Sequence, residues 1–379
     1  MTNSENQKAI NFLIKSYKRF FKEELQRSID FTHESICARI AYENSLDLET
    51  ITQMTELKDI FDIYFDHCFL SSIVDQEDLF EVIIHGNTSI EVISKKGKEI
   101  FEGLAIENDD LETCLNVLGL KNNQNWNFQN PFCSFLLELN GENYRCTLTH
   151  SCISAFNSPT IFLRKLATQI FDLAQYGEDA TVVAQLIKEK KNIIIAGSTG
   201  SGKTSFLKSC LKYIEGQEHV VVIEDTHEIS CPDKNFTNML ATGEKNKTMT
   251  DFCKYSLRMS PERIILGEIR AEEVVPFTLA MNTGHTGLLS TIHANSANDT
   301  LSRLAMLFSI FSNSGQAISY EQILQLICKN IDNVVFLENK KVKEIIEVKG
   351  AEGMHPITNQ MNELQSEQFS PVENLFFAS

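Results

Sequence analysis

The sequence contains no Cys-x-x-Cys pair. Its ten cysteines stand at positions 37, 68, 114, 133, 146, 152, 210, 231, 253 and 328. Structural zinc ribbons and knuckles usually need closely spaced ligands, so no zinc site is expected. A chain of 379 residues is also too large to need disulfide staples. The cysteines therefore read as reduced thiols, mostly buried as small hydrophobes. Basic charge is in deficit: 34 lysines and arginines face 51 aspartates and glutamates, a net charge of −17. That balance argues against a general nucleic-acid binder, although it leaves a local basic groove open. No apolar run reaches the roughly 18 residues needed to span a bilayer. The first six residues, Met1 to Asn6, lack the basic-then-apolar pattern of a signal peptide, so the chain is expected to stay where it is made. Collagen-like, heptad and low-complexity repeats are absent. What remains is ordinary globular composition, 42% hydrophobic and 22% charged, in a length that suggests two or three domains.

Residues 8–27 read as an amphipathic helix, with Ile10, Leu13, Ile14, Tyr17, Phe20, Phe21 and Leu25 on one face. Lys15, Lys18, Arg19, Lys22 and Arg27 make it locally basic, which fits either a core-facing helix with a solvated rim or a surface for an anionic membrane or partner. From Glu43 to Glu81 the balance flips to eleven acids against one base, Lys58, with enough aromatics to predict a folded acidic surface. Strand-like alternation follows over 80–84, 89–93 and 134–139, separated by turn signals and a helix around 107–118. This predicts a small α+β domain. Asn157-Ser158-Pro159 marks a turn and a linker. Beyond about residue 166, short apolar strands alternate with helical patterns, the mark of a parallel α/β sheet. The resulting division is a helical extension (1–75), an α+β domain (76–155), a linker (156–166), an α/β domain (167–350) and a loosely held acidic tail (351–379).

The strongest signal is Gly197-Ser198-Thr199-Gly200-Ser201-Gly202-Lys203-Thr204, followed by Ser205. It matches G-x-x-x-x-G-K-[ST] in full. Ile193–Ala196 before it reads as a buried strand. Phe206, Leu207, Cys210, Leu211 and Ile214 after it mark one face of a helix, the setting the motif demands. Glycines let backbone N–H groups turn inward around phosphates, and the helix points its N-terminus at them. Lys203 is expected on the β and γ phosphates of ATP, and Thr204 on Mg²⁺.

Val220–Ile223 is another apolar run with Glu224 and Asp225 at its end, and Arg263–Leu266 leads in the same way to Gly267-Glu268. Open α/β sheets bind ligands beyond the carboxyl ends of their strands, so both acid groups should face the phosphate loop. One carboxylate can orient water on the metal, and another can align or deprotonate the attacking water. The second strand ends in Gly-Glu rather than the usual Asp. The metal is then held mainly through Thr204 and water, with Glu268 at one remove and Asp225 a further candidate. His285 and His293 follow in a frame rich in Gly, Ser and Thr. A third strand is read over 288–292, and a helix over 272–281 with Pro276 inside it.

Four of these segments in order resemble the secretion ATPases of type II and type IV secretion and type IV pili. They are GSTGSGKT (197–204), VVVIEDTHEI (220–229), SPERIILGEIR (260–270) and NTGHTGLLSTIHANSANDTLSRL (282–304). SPTIFLRKL (158–166) and KVKEIIEVKG (341–350) are similar to the CpaF-like Tad-pilus branch and its type IV secretion relatives. The resemblance implies a RecA-like P-loop ATPase domain preceded by a small α+β domain. It further implies a homo-hexameric ring, ATP with Mg²⁺, and an inner-membrane platform protein as partner on the cytoplasmic face. Arginines of the first domain and linker, Arg145 and Arg164 by motif position, would reach the phosphates. Arg270 and Arg303 also match family positions. Glu224 is read as activating water, Glu268 as belonging to the metal shell, and His293 as sensing the γ-phosphate. Two other readings remain open: a non-hydrolysing nucleotide-gated scaffold and a RecA-like DNA motor.

Overall fold

The computed structural model describes residues 3–66, 68–75, 78–166, 169–229, 235–242, 245–312 and 318–361. The chain forms two compact units, Met1–Leu166 and Ala167–Ser379.

The first unit begins with helices α1 (Asn3–Leu25), α2 (His33–Asn44), α3 (Leu48–Thr52), α4 (Thr55–Asp66) and α5 (Cys68–Val74). Tyr17, Phe20 and Phe21 of α1 are buried against Ile36 and Ile40 of α2 and Leu57 and Tyr64 of α4. Thr32 caps α2 through a reciprocal box with Ser35, and Asp47 caps α3. The basic residues of α1 meet acids of the same unit. Lys18 lies 2.5 Å from Asp110, Lys22 2.5 Å from Asp109 and Arg19 3.5 Å from Glu43. The helix therefore faces a core, and Lys18, Arg19 and Lys22 of its rim are matched within the unit.

An antiparallel sheet follows: β1 (Leu79–His85), β2 (Ser89–Ser94), β3 (Gly97–Glu102), then α6 (Asn108–Lys121), β4 (Phe132–Leu139), β5 (Glu142–Thr149) and β6 (Thr160–Lys165). The strand order is β3-β2-β1-β6-β5-β4. Asn140 and Gly141, both with positive φ, make the two-residue turn between β4 and β5. Residues 160–165, read from the sequence as linker, are instead a central strand paired with both β1 and β5. The reason is alternation: Ile161 and Leu163 point into the core while Phe162 and Arg164 point away from it. Helix α6 is shared between two cores. Leu111, Leu115 and Leu118 pack on the sheet, and Cys114 and Val117 pack on the helices before it. Those positions are three and four apart, so they form two adjacent stripes of one helix.

The second unit contains α7 (Val182–Lys188), β7 (Ile193–Gly197), α8 (Lys203–Leu211), β8 (Val220–Glu224), β9 (Phe236–Leu240), α9 (Met249–Ser256) and β10 (Arg263–Ile269). It continues with α10 (Val274–Asn282), β11 (Leu289–Ile292), α11 (Ala297–Phe311), α12 (Tyr320–Asn330), β12 (Asn333–Glu338), β13 (Lys341–Glu352) and β14 (His355–Gln360). The strand order is β14-β13-β12-β7-β11-β10-β8-β9, parallel from β12 to β9. Parallel strands covered on both faces read as continuous apolar runs. Ile193 and Ile195 accordingly enter the core beneath α7 and α8, while Ile194 and Ala196 enter the core beneath α10, α11 and α12. Pro276 is the third residue of α10, inside the first turn where a missing N–H costs nothing. Residues 351–361, read as part of the tail, instead finish β13 and form β14, which pairs antiparallel with it. Main-chain pairing, to which side-chain pattern is blind, holds this polar strand. Residues 362–379 lie outside the described residues. No described helix is long and apolar enough to cross a membrane.

Candidate active site

The parallel order β12-β7-β11-β10-β8 brings five strand ends to one edge of the sheet. The phosphate loop leaves the end of β7 and closes onto α8, with Gly202 (φ +94) as the residue before the helix. Only glycine adopts that conformation freely. Gly197 is required by close approach, because a Cβ there would lie 2.5 Å from Leu337 O and 2.5 Å from Ser201 Oγ. Lys203 is buried, and its Nζ donates to Gly197 O at 3.0 Å and Ser198 O at 2.9 Å.

From Lys203 a continuous chain of polar contacts runs along the strand ends. Lys203 Nζ lies 3.2 Å from His293 Nδ1, just beyond β11. His293 Nε2 lies 2.9 Å from Glu268 Oε1 on β10. Glu268 Oε2 accepts from Arg270 Nε at 2.9 Å and Nη2 at 2.6 Å. Arg270 Nη1 reaches Asp225 Oδ2, past the end of β8, at 2.6 Å. Lysine can only donate, so Nδ1 of His293 accepts and Nε2 carries the proton; Glu268 Oε1 lies close to that nitrogen without a formed hydrogen bond. Burial and the Lys203 charge push the His293 pKa down, which keeps that neutral tautomer. A register shift between Leu266 and Ile269 turns Glu268 to this edge. Ser290 and Thr291 of β11 stitch the bulge by donating to Leu266 O and Gly267 O, each at 2.7 Å.

Glu224 is placed differently. It ends β8 and is 5% exposed, and its Oε1 accepts the backbone N–H groups of Glu228 at 3.1 Å and Ile229 at 2.9 Å. His227 Nδ1 lies 3.5 Å from Oε2. Burial pushes the Glu224 carboxyl up to about 8, against the two backbone donors that favour its charged form. Gly267 makes room for it: a Cβ there would be 3.3 Å from Glu224 Cγ.

Thus Lys203, His293, Glu268 and Asp225 come together, linked by Arg270, and Glu224 stands beside them on the next strand. His285 bonds Thr283 Oγ1 at 3.3 Å and takes no part in this chain of contacts. Arg145 and Arg164 belong to the first unit, where they are direct partners across β5 and β6, with Glu81 next in register on β1. Arg270 was noted in the sequence by position only. Its bridge between acids 45 and 2 residues away is a property of strand order.

The loop fits a polyphosphate. Ser201 Oγ is buried with no hydrogen-bond partner, and Gly200 (φ +75) has nothing within 4 Å of where a Cβ would be. Mg²⁺ commonly keeps several waters and takes one or two protein ligands. The donors here, Thr204 and nearby carboxylates, suit that mode, and among the described residues no group of three or more His, Cys, Asp or Glu could hold a metal ion.

A P-loop in a parallel sheet, with acids at the ends of the neighbouring strands, defines a RecA-like P-loop domain. The type II/IV secretion system protein family matches residues 134–363, and the chain belongs to that family. It is 28% identical over 232 residues to the conjugal transfer protein TrbB of Rhizobium radiobacter, covering 57% of this chain and 66% of that one. It is 24% identical over 310 residues to the type IV secretion system protein VirB11 of Bartonella henselae, covering 70% and 86%. The chain thus spans just under two thirds of the TrbB relative. Among solved structures, the pilus retraction motor PilT with bound ADP is similar in fold, with a TM-score of 0.56 and 21% identity over 78% of this chain and 81% of that one. The ATPase DotB of Legionella pneumophila gives 0.54 and 17% over 78% and 77%.

Proposed function

We propose that the protein is an ATPase that powers a type IV secretion or pilus machine. The observation that carries this is the unbroken line of contacts from Lys203 through His293 and Glu268 to Arg270 and Asp225, assembled around a complete phosphate loop. In this reading residues 197–205 bind ATP, with backbone N–H groups and Lys203 on the phosphates. Mg²⁺ would be held by Thr204, Glu268 and Asp225 and would supply positive charge at the phosphate oxygens. Lys203 exchanges its loop carbonyls for phosphate oxygens. His293, already against Lys203 Nζ, senses the occupied state and passes it to Glu268.

Hydrogen bonding divides the two glutamates. Oε1 of Glu224 is committed to the backbone at 228–229, so we assign Glu224 to shaping that loop and, when ionised, to accepting a proton from water. Glu268, one residue from Lys203 through His293, is assigned to orienting the attacking water. Arg145 and Arg164 would add positive charge at the phosphates. We further infer a homo-hexameric ring working on an inner-membrane platform protein at the cytoplasmic face. The narrower assignment to a Tad-type pilus rests on residues 158–166 and 341–350.

The test is phosphate release from Mg-ATP by wild type and Lys203→Ala, with mass measured on each. Loss of turnover of 10²-fold or more, with unchanged mass, is expected. Full turnover in the variant would sink the assignment. ATP binding by wild type without turnover would favour the scaffold reading.

A further inference from the structure

The phosphate loop has two flanks, because β7 lies between β11 and β12. His293 and its partners occupy the β11 flank. The β12 flank ends in a two-residue turn, Asn339-Lys340, which joins β12 to β13, with Glu338 paired to Lys341.

This turn is unusual for its residues. Both are in the left-handed region, at φ +51 and +60. Asn is at home in the first position of such a turn, whereas the second strongly favours Gly. Lysine there has a Cβ that the conformation disfavours, at a cost that persists only where surrounding structure or function holds it. The turn also lies against the phosphate loop. A Cβ built on Gly202 would be 3.6 Å from Lys340 Cα and 3.7 Å from its Cβ and Cγ. The Lys340 side chain therefore starts beside the residue that opens α8, next to the helix end and the backbone donors that favour an anion. Leu337, three residues earlier, already touches the loop through its carbonyl beside Gly197.

We propose that Lys340 is a second phosphate-side lysine. It would contact the anionic chain of a bound nucleotide from the β12 flank, opposite His293. The proposal rests on the nucleotide-site reading above and adds a residue that the P-loop motif does not contain. It also gives the strained turn a reason: a glycine would fit the backbone better but would bring no charge.

Because glycine suits φ +60, Lys340→Gly should fold at least as well as wild type. Binding of ADP and of ATP with Mg²⁺ is measured by calorimetry on the full chain for wild type, Lys340→Gly and Lys340→Arg, with thermal midpoints in the absence of nucleotide. The expected result is a midpoint equal to or above wild type for Lys340→Gly, with both nucleotides bound about tenfold more weakly, the scale of one charge-assisted hydrogen bond. Lys340→Arg should stay within about threefold of wild type. Unchanged affinity in Lys340→Gly overturns the proposal, as does an equal loss in Lys340→Arg, which would mean that packing rather than charge matters. If wild type binds neither nucleotide, the site reading itself fails, independently of Lys340.

Discussion

Strand β10 begins and ends near an arginine that is paired to acids, and the two groups behave as opposites. At its start, Arg263 is 1% exposed, with Nε 2.7 Å and Nη2 3.1 Å from Glu218, and Lys190 closes the group at 3.1 Å. Burial pushes the Glu218 carboxyl up, but Arg263 and Lys190 outweigh it and hold it below its ordinary range. Gly287 presses against this pair so closely that a Cβ would lie 2.8 Å from Arg263 Nη1. Just past the other end, Arg270 holds Glu268 and Asp225 with about half of its side chain open to solvent. The sealed pair sits at the amino ends of the parallel strands, where no ligand is expected. The open one sits at the carboxyl ends beside the phosphate loop. Similar chemistry thus serves as a fastening at one edge and as a set of exchangeable partners at the other.

Arg263→Ala tests the fastening and carries the largest expected effect. Removing the arginine leaves the buried Glu218 with only the half-buried Lys190, and a loss of about 3 kcal/mol in denaturant unfolding is expected. A loss under about 1 kcal/mol would erase the contrast between the two edges. Arg270→Ala tests the open edge. Pairs this exposed contribute about 0–1 kcal/mol, so stability should hardly change while ATP turnover falls at least tenfold. A melting shift as large as that of Arg263→Ala would make Arg270 a second fastening.

Glu224 lies between these cases and gives the most conditional effect, one expressed over only part of the pH range. An acid whose folded pKa is raised, here from 4.5 to about 8, holds a proton in the folded chain that the unfolded chain has lost. Its contribution to stability therefore falls as pH rises from about 4.5 toward 8. Glu224→Gln cannot ionise and still accepts from the Glu228 and Ile229 N–H groups. The melting difference between variant and wild type should be near zero at pH 5 and grow in favour of the variant toward pH 8. Among the charges facing the carboxyl, Glu228 raises its pKa further and Lys208 lowers it, with His227 Nδ1 3.5 Å away. A difference that does not change with pH would show that Glu224 is ionised throughout.

The phosphate loop was legible because its chemistry is local, with glycines, lysine and threonine at fixed spacing between a strand and a helix. The acids were legible as strand-end residues, but their partners were not. Asp225 and Arg270 are 45 residues apart and meet only because β8 and β10 are neighbours. Lys340 was hidden for the same reason, since nothing in the segment around it says that β12 pairs beside the phosphate loop. Strand β6 was missed because Asn157-Ser158-Pro159 reads as the start of a connection, although Ile161 and Leu163 face a core built by strands far away in sequence. Strand β14 was missed because it is polar and held by the main chain. The burial of Glu224 had no signal at all, because one acid after four apolar residues looks the same whether its loop folds back over it or leaves it open.

Helix α6 has a mechanical implication. It has no side to spare: one stripe completes the sheet core and the adjoining stripe completes the helical core. The two layers are therefore joined through shared side chains rather than along a seam, with Leu70 and Val74 of α5 also entering the sheet core. Prising the helices from the sheet would strip Cys114 and Val117, or Leu111, Leu115 and Leu118, of their packing together. In the first unit the leading helices are thus part of the same packed body as the sheet rather than a flag attached to it.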